Sequence, residues 1–432
     1  MNTLKPTEYT LECVATGRQF ADEGWTLDDK ECSVPSLVRT RYAKRQIELR
    51  DESFGLYKFA DWLPVRRMLK GSAAPVTYKS EKLAAELHLD NLYITFNGYN
   101  PAIGAAMTTC SFKETEAYSV CARIPDGEKR VLVVASAGNT ARAFAKVCSQ
   151  NNIPLLLSVP ADNLDALWFD EPLNPCVKLI ACEHGGDYFD AIHLSNLALK
   201  SPKFYAEGGA KNVARRDGMS TTVMSAVTTT GRIPDYYCQA VGSGTGAIAA
   251  WEANMRFVED GRFGSNIMKL MVAQNEPFVP MYDAWRADSR DMLPYDDDRA
   301  RRDAEAIDAK VLSNRKPPYG IRGGLYDALK ASGGDILTAS NDELRAAQEL
   351  FLRTEGADIH PAAGTALATL AKAVGAGKVE RHATVMLNIT GGGEALFRQG
   401  RKIYTLRPER IFTLNPDEAE VTTAVEAMFS AF

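Results

Sequence analysis

Three glycine-bearing loops are the parts of this sequence whose residue types and spacing could do chemistry. They read Ala135-Ser-Ala-Gly-Asn-Thr140, Gly242-Ser-Gly-Thr-Gly246 and Asn388-Ile-Thr-Gly-Gly-Gly393. Each follows a run of apolar residues of the kind that forms a strand buried on both faces. Because ligands bind at the carboxyl ends of parallel strands, we expect the three loops to converge on one site.

The first and third loops each allow two interpretations. The first leads directly into a predicted helix, so its amides and the Asn139 side chain could reach an anion or a polar ring substituent. An Asn139 that merely caps the helix fits the spacing equally well. Thr390 could bond a heteroaromatic nitrogen through its hydroxyl, or it could simply form a turn. The spacing alone does not decide between these interpretations.

The second loop has glycines at alternate positions before a predicted helix. Its backbone amides could wrap a phosphate, and the helix dipole would add to the attraction. The loop lacks the final lysine of a nucleoside-triphosphate loop and the GxGxxG spacing of a dinucleotide fold. A phosphate monoester fits better than either nucleotide, although a glycine turn kept for packing is equally consistent.

The elements that must position these loops alternate between strand and helix, which is typical of parallel βαβ units and predicts an α/β fold. The clearest predicted strands are 131–135, 154–159, 177–180, 236–241, 270–273 and 384–389. Helical spacing predicts helices over 140–150, 187–200, 217–229, 247–258, 342–354 and 361–373. The first fifty residues are polar and irregular and are interpreted as a surface extension. The charged stretch 283–318 is interpreted as an exposed insertion or a mobile flap.

Composition narrows the classes of function. A chain of 432 residues favours two domains, and a formal net charge of -5 gives no general attraction for nucleic acid or anionic membranes. Residues 1–10 have no apolar signal segment, so we expect a cytoplasmic protein with small-molecule partners. The eight cysteines include no CxxC pair, and Cys13 with Cys32 supply only two ligands, so no metal is expected.

In chain order, the loops resemble the pattern of the threonine synthases. The resemblance spans about residues 55–400 and includes the segments Gly55-Leu-Tyr-Lys-Phe-Ala-Asp-Trp-Leu-Pro64, Asn91-Leu-Tyr-Ile-Thr95, Ser111-Phe-Lys113, Thr354-Glu-Gly and Pro361-Ala-Ala. It implies fold type II of the pyridoxal-phosphate-dependent enzymes, a fold like that of the tryptophan synthase β subunit, with two domains and parallel-rich sheets.

Within that group the chain looks most similar to the cysteate synthases of methanogens. Threonine synthases usually read Asn-Pro-Thr-Gly-Ser-Phe-Lys-Asp-Arg, whereas here Asn100-Pro101 stands well before Ser111-Phe-Lys113 and Glu114-Thr115 replaces the Asp-Arg pair. This departure argues against ordinary threonine synthesis. The paired-cysteine module of some relatives is reduced here to Cys13 and Cys32, which removes the basis for zinc.

The resemblance implies that Lys113 carries pyridoxal 5'-phosphate as a Schiff base and, once displaced by the amino acid, takes the α-proton. Asn139 would meet the 3′ oxygen of the cofactor and Thr390 its pyridine nitrogen. A hydroxyl does not keep that nitrogen protonated, which suits β-elimination with replacement better than transamination. The cofactor phosphate would lie among Gly242, Ser243, Gly244, Thr245 and Gly246.

The implied reaction replaces the phosphate of O-phospho-L-serine by sulfite and gives L-cysteate, a step of coenzyme M biosynthesis. Asn212 and Arg215 stand in a segment that resembles the family's Asn-x-x-Arg-x-x-Gly phosphate contact, with Arg216 as the neighbouring alternative. The candidate donors to the phospho-amino acid and sulfite are Ser136, Ala137, Thr140, Asn212 and Arg215. Two other functions stay open: a threonine synthase that acts on O-phosphohomoserine, and a cofactor-binding paralogue with little catalysis.

The expected domains are an N-terminal extension over 1–50, a large cofactor-binding domain over 51–118 and 205–432, and a small mobile domain over 119–204. Neither nucleic acid nor a membrane is an expected partner. A homo-oligomer is left open by analogy with dimeric relatives.

Overall fold

The computed structural model describes residues 4–136 and 138–430. The strands in chain order, β1 to β18, are Tyr9–Cys13, Gln19–Phe20, Val38–Tyr42, Val76–Lys79, Asn91–Phe96, Tyr99–Asn100, Ala105–Ala106, Val131–Ala135, Leu155–Pro160, Trp168–Phe169, Val177–Cys182, Phe204–Ala206, Tyr236–Ala240, Lys269–Asn275, Asp335–Ala339, Thr384–Ile389, Tyr404–Thr405 and Arg410–Phe412. The helices, α1 to α13, are Lys82–Glu86, Lys113–Arg123, Asn139–Asn151, Tyr188–Ala198, Val213–Thr230, Thr245–Asp260, Pro280–Arg286, Asp297–Ala306, Leu325–Ser332, Asn341–Glu355, Pro361–Gly375, Glu394–Arg398 and Glu418–Met428.

A six-stranded sheet in the order β15-β14-β13-β16-β5-β4 forms the larger half of the molecule. Its strands are parallel except for the edge strand β4, which runs antiparallel to β5. Strands β13 and β16 are buried along their whole length, as their apolar sequences predict. The six strands and six helices predicted from sequence all appear with small shifts in their ends, and the α/β prediction is confirmed.

The second sheet has five parallel strands in the order β12-β8-β9-β11-β18. Its last strand comes from the C-terminus, since Ile411 pairs with Ala181. Helix α13 covers the same sheet, and its Val421 and Val425 share an apolar cluster with residues of α4. The sequence analysis placed all of 205–432 in the large domain, and that division stays a prediction; β18 and α13 from this range lie against the five-stranded sheet.

The N-terminal segment is more than the surface extension expected from its polarity. It forms an antiparallel sheet in the order β2-β1-β3, and Leu11 and Val38 are buried against Val213 of α5. Polar contacts fix it further, because Arg123 of α2 pairs with Asp22 at 2.8 Å. The three strands are short, and their sequences mix polar and charged residues with few apolar ones, so composition did not reveal this sheet. The N-terminal segment therefore contacts helices α2 and α5 directly.

None of the described helices is a candidate for membrane insertion. Within residues 4–136 and 138–430, no helix combines the length and the apolar character needed to cross a bilayer.

Candidate active site

A cavity of about 520 Å³ opens at the carboxyl ends of β8, β13 and β16. The three glycine-bearing loops meet there, as parallel topology predicts. Ala137 lies outside the described residues. The predicted site residues that line the cavity are Lys113, Ser136, Asn139, Thr140, Arg215, Gly242, Ser243, Gly244, Thr245, Gly246 and Thr390.

Lys113 is the first residue of α2, and its backbone is fixed to the end of β16. The Phe112 amide donates to the Thr390 carbonyl at 2.9 Å, and Ser111 forms a β-bridge with Gly391. The Lys113 Nζ lies 3.2 Å from Oε2 of the buried Glu116 and 4.9 Å from the centre of the Phe112 ring. Burial lowers the pKa of Lys113, and Glu116 only partly opposes this. Burial thus favours the neutral form of an amine that lines the cavity.

The 242–246 loop forms the second wall and ends where α6 begins at Thr245. A side chain at position 242 would place its Cβ only 2.8 Å from the Val311 carbonyl oxygen, so glycine is required there. The hydroxyls of Ser243 and Thr245 lie 2.8 Å apart. Backbone amides at a helix start have no acceptor within the helix, and this loop therefore offers donors to a phosphate.

The loop before α3 is held by its own side chains. The Ser136 hydroxyl accepts hydrogen bonds from the amides of Gly138 and Ala141, each at 3.0 Å. Asn139 Oδ1 accepts from Arg142 at 2.9 Å, and Arg142 also donates to the Thr109 carbonyl at 3.0 and 3.1 Å. Ser136 therefore holds the turn that leads into α3, whose N-cap is Gly138, and Asn139 is oriented by a buried arginine.

Thr390 stands above a buried polar network that sequence reasoning did not anticipate. Asn388 donates to Gln239 at 2.9 Å and to the Tyr237 hydroxyl at 3.0 Å, and Asn97 donates to Asn388 at 2.8 Å. Because each of these groups is buried and bonded, the ends of β13 and β16 are held in one arrangement.

His360 also lines the cavity, although the sequence analysis did not identify it as a site residue. Its Nε2 lies 3.3 Å from Glu394 Oε2, and its Nδ1 lies where a side chain at Gly391 would stand. The one signal in the sequence was its position immediately before Pro361, the first residue of α11.

The structure does not bring Asn212 into the cavity. Asn212 is fully buried as the N-cap of α5, where its oxygen accepts from the Ala214 amide and from Arg123 at 3.0 and 2.9 Å. Its nitrogen donates to the Glu207 carbonyl at 2.7 Å, so the side chain has no free group for substrate. The alternative Arg216 is likewise buried and pairs with Glu252 at 3.0 Å.

Arg215 does reach the cavity, but two carboxylates occupy its guanidinium. It donates to both oxygens of Glu207 at 2.9 and 2.5 Å, and its Nη1 lies 3.2 Å from Glu116 Oε1. Burial opposes the charge of Arg215, but Glu116 and Glu207 outweigh burial and raise its pKa.

The charged stretch 283–318 contributes a wall of the cavity, a role that its solvated appearance did not predict. Val311, Leu312 and Pro318 lie on this wall together with polar neighbours. Among the lining side chains that the structure describes, no Asp or Glu occurs, whereas the lining cations are Lys113, Lys211, Arg215, Arg315 and Lys316. All of these cations except Lys316 pair with carboxylates outside the lining, so in the part of the chain that the structure describes Lys316 is the lining cation left to attract an anionic ligand.

Comparison with known proteins agrees with this site. A family model described as pyridoxal-phosphate dependent enzyme matches residues 73–391, which places the chain in that family. The fold is shared with maize serine racemase at a TM-score of 0.57 and 13% identity, covering 75% of this chain and 91% of that one. The fold-type prediction is confirmed.

Similarity to individual curated proteins identifies the family to which the chain belongs within this larger group. Over 410 residues the chain is 44% identical to the cysteate synthase of Methanosarcina acetivorans, covering 95% of this chain and 97% of the relative. It is 47% identical over 403 residues to the cysteate synthase of Methanocella paludicola, covering 93% of each. Within the pyridoxal-phosphate-dependent enzymes, the chain therefore belongs to the cysteate synthase family.

Proposed function

We propose that this protein replaces the phosphate of O-phospho-L-serine by sulfite and releases L-cysteate and phosphate. The observation that carries the proposal is a cavity at three strand ends that combines a lysine of lowered pKa with a charged lining made only of cations among the described residues. Its family membership supports the same reaction.

The residues present fit pyridoxal phosphate. The 242–246 loop would hold its phosphate, Lys113 would hold it covalently, and Asn139 and Thr390 would contact its ring. The glycine at 242 leaves open the space that a Cβ would fill beside Val311, as a phosphate cradle requires. When bound, the cofactor supplies an electron sink for the charge that remains when the α-proton leaves.

Lys113 is the base in this proposal. Its amine, released when the amino acid binds, takes the proton from Cα of the substrate, which requires the amine to be neutral near working pH. Burial acts in that direction, because it lowers the pKa of Lys113. The same amine can return the proton to Cα after sulfite has replaced phosphate at Cβ.

The site must also bind the anionic groups of both substrates. O-phosphoserine brings a phosphate and a carboxylate, and sulfite brings a further anion as phosphate departs. Thr140 and the Ser136 region supply polar groups on one side, and Lys316 supplies charge on the other, since Arg315 already pairs with Asp187 and Asp297. A cavity without lining carboxylates among its described residues lowers the cost of holding two anions in turn.

The test is turnover by the purified full-length protein with pyridoxal phosphate. We expect phosphate release and cysteate formation with O-phosphoserine and sulfite together, and loss of both in Lys113→Ala. Release of phosphate only from O-phosphohomoserine would replace the proposal with threonine synthesis. Cofactor absorbance that responds to neither phospho-amino acid would favour a paralogue with little catalysis.

Three further expectations belong to the same proposal. The protein works in the cytoplasm without a nucleic-acid partner, which its formal net charge of -5 supports. Residues 119–204 act as a small domain that moves on substrate binding. Self-association is left to measurement by sedimentation.

A further inference from the structure

A chain of four alternating charges runs from the catalytic lysine into the protein. Lys113 Nζ lies 3.2 Å from Glu116 Oε2, and Glu116 Oε1 lies 3.2 Å from Arg215 Nη1. Arg215 is then held by Glu207 through two hydrogen bonds of 2.9 and 2.5 Å. The side chains of Glu116 and Glu207 are 0% and 5% exposed, so water screens this chain only weakly.

Glu116 is committed to Lys113 and Arg215 by its geometry. It stands three residues after Lys113 on α2, one turn along the same face, and each of its oxygens faces a different cation. Its Oε1 makes no hydrogen bond of good geometry among the described residues, so its contact with Arg215 is purely ionic. The carboxylate therefore divides its charge between two cations.

Arg215 is badly placed to receive a substrate anion. The Nε and Nη2 of Arg215 donate to Glu207, and its Nη1 faces Glu116. An anion that approached this guanidinium would also meet two buried carboxylates, which repel it. Arg215 instead balances the carboxylate that would otherwise hold the proton on Lys113.

We propose that Glu116 is a positioning residue that holds and orients the Lys113 amine, and that Arg215 acts on this amine through Glu116 and not on the substrate. The inference rests on the proposed role of Lys113. Glu116 retains the amine beside the reacting centre whenever it is free, and Arg215 weakens that hold enough for the proton to leave. The charged and titratable groups around the amine are Glu116, Arg215, Glu207 and, beyond them, Tyr188.

The test measures the pKa of Lys113 in the full-length protein freed of cofactor. A small acylating reagent is applied across a pH series, and mass spectrometry follows labelling of the Lys113 peptide. Glu116→Gln removes the attraction for the ammonium form, so we expect the pKa to fall by about one unit. Arg215→Gln removes the competing cation, so we expect it to rise by about one unit.

Glu114→Gln is the matched control. Glu114 lies on the same helix and is equally buried, but its carboxylate pairs with Lys146 at 3.1 Å and with Thr109. Its substitution should leave the pKa of Lys113 unchanged. If circular dichroism shows that Glu116→Gln does not fold, Glu116→Asp takes its place, and we expect a smaller fall because the charge is withdrawn by one methylene.

Shifts of the same sign in the Glu116 and Arg215 variants, or no shift in either, would overturn the inference. So would an Arg215→Gln variant whose only change is weaker binding of O-phosphoserine. Labelling requires no turnover. If the pKa of Lys113 falls in Glu116→Gln and rises in Arg215→Gln but the protein makes no cysteate, the proposed reaction is contradicted. The proposed roles of Glu116 and Arg215 toward Lys113 are then still supported.

Discussion

Arg315 Nη2 lies 2.8 Å from Asp187 Oδ2, and this ion pair links two different walls of the cavity. Asp187 is the N-cap of α4, which flanks the five-stranded sheet. Arg315 follows Val311, whose carbonyl faces the 242–246 loop of the six-stranded sheet. The segment 311–315 therefore extends from one sheet to the other across the site.

Breaking this link should loosen the segment. In Arg315→Gln we expect amides of 310–318 to exchange hydrogen about tenfold faster, which corresponds to about 1.4 kcal/mol of local stability. The Arg315 side chain is only 10% exposed, so its loss is not compensated by water. Mass-spectrometric hydrogen exchange measures the rate. The exposed Arg302 of α8 is the control, and equal effects of Arg302→Gln would contradict the linking role.

Lys316 should contribute charge to substrate binding. In the described part of the chain it has no carboxylate partner, and its Nζ lies 4.5 Å from the centre of the Phe189 ring at the cavity wall. We expect Lys316→Gln to raise KM for O-phosphoserine about fivefold, corresponding to about 1 kcal/mol, with a smaller effect at high salt. Steady-state kinetics at two ionic strengths measure both. Lys310→Gln, an exposed position off the cavity, should leave KM unchanged.

Substitution of Gly393 and of Gly400 compares the stability cost of adding a Cβ atom at a crowded position and at an open one. Both have positive φ, 74° and 72°, but a Cβ at 393 would stand 1.8 Å from the Tyr99 carbonyl oxygen, whereas nothing lies within 4 Å at 400. We expect Gly400→Ala to lower the free energy of unfolding by about 1 kcal/mol and Gly393→Ala by at least about 3 kcal/mol. Denaturant titration gives both values, and similar losses would show that the turn adapts.

Asp22 should make stability depend on pH. Burial by itself raises the pKa of Asp22, but Arg123 and the Tyr9 hydroxyl outweigh burial, and its pKa lies below the usual value. A depressed carboxyl pKa stabilises the fold above the unfolded pKa, about 3.9, and this contribution is lost as pH falls through the folded pKa. We expect Asp22→Asn to cost about 3 kcal/mol at pH 7 and less below about pH 4.

The control for Asp22 is Asp126, whose side chain is 83% exposed beside Arg67 at 3.2 Å. Asp126→Asn should change the free energy of unfolding by less than about 0.5 kcal/mol at either pH. A pH-independent loss in Asp22→Asn would show that its contribution is not that of an ionised carboxylate.

The sequence predicts the parts of this molecule that carry a strong local pattern. Strands β8 and β16 are largely apolar runs, and parallel topology then brings their loops together without further information. Strand β18 has three residues, two of them exposed, so no pattern marks it. The motif Asn212-x-x-Arg215 fixes a helix start. Which side chain turns toward the cavity depends on Arg123, which is distant in sequence, and on Glu207 in the preceding loop.

A run of charged residues gives even less information about which of its side chains face a ligand. The stretch 283–318 has the composition of a solvated surface, and only its contact with α4 and the 242–246 loop turns Arg315 and Lys316 inward. A sequence pattern reports how many charges a segment has, whereas the tertiary fold decides which of them face a ligand.

The pairing of β18 with β11 also determines when the five-stranded sheet can be completed during protein synthesis. Until residues 410–428 leave the ribosome, β11 presents an unpaired edge and the apolar face that Phe412, Val421 and Val425 will cover is open to water. The five-stranded sheet can thus be completed only after residues 410–412 have been synthesised, and a nascent chain that stalls before residue 410 exposes the unpaired edge of β11.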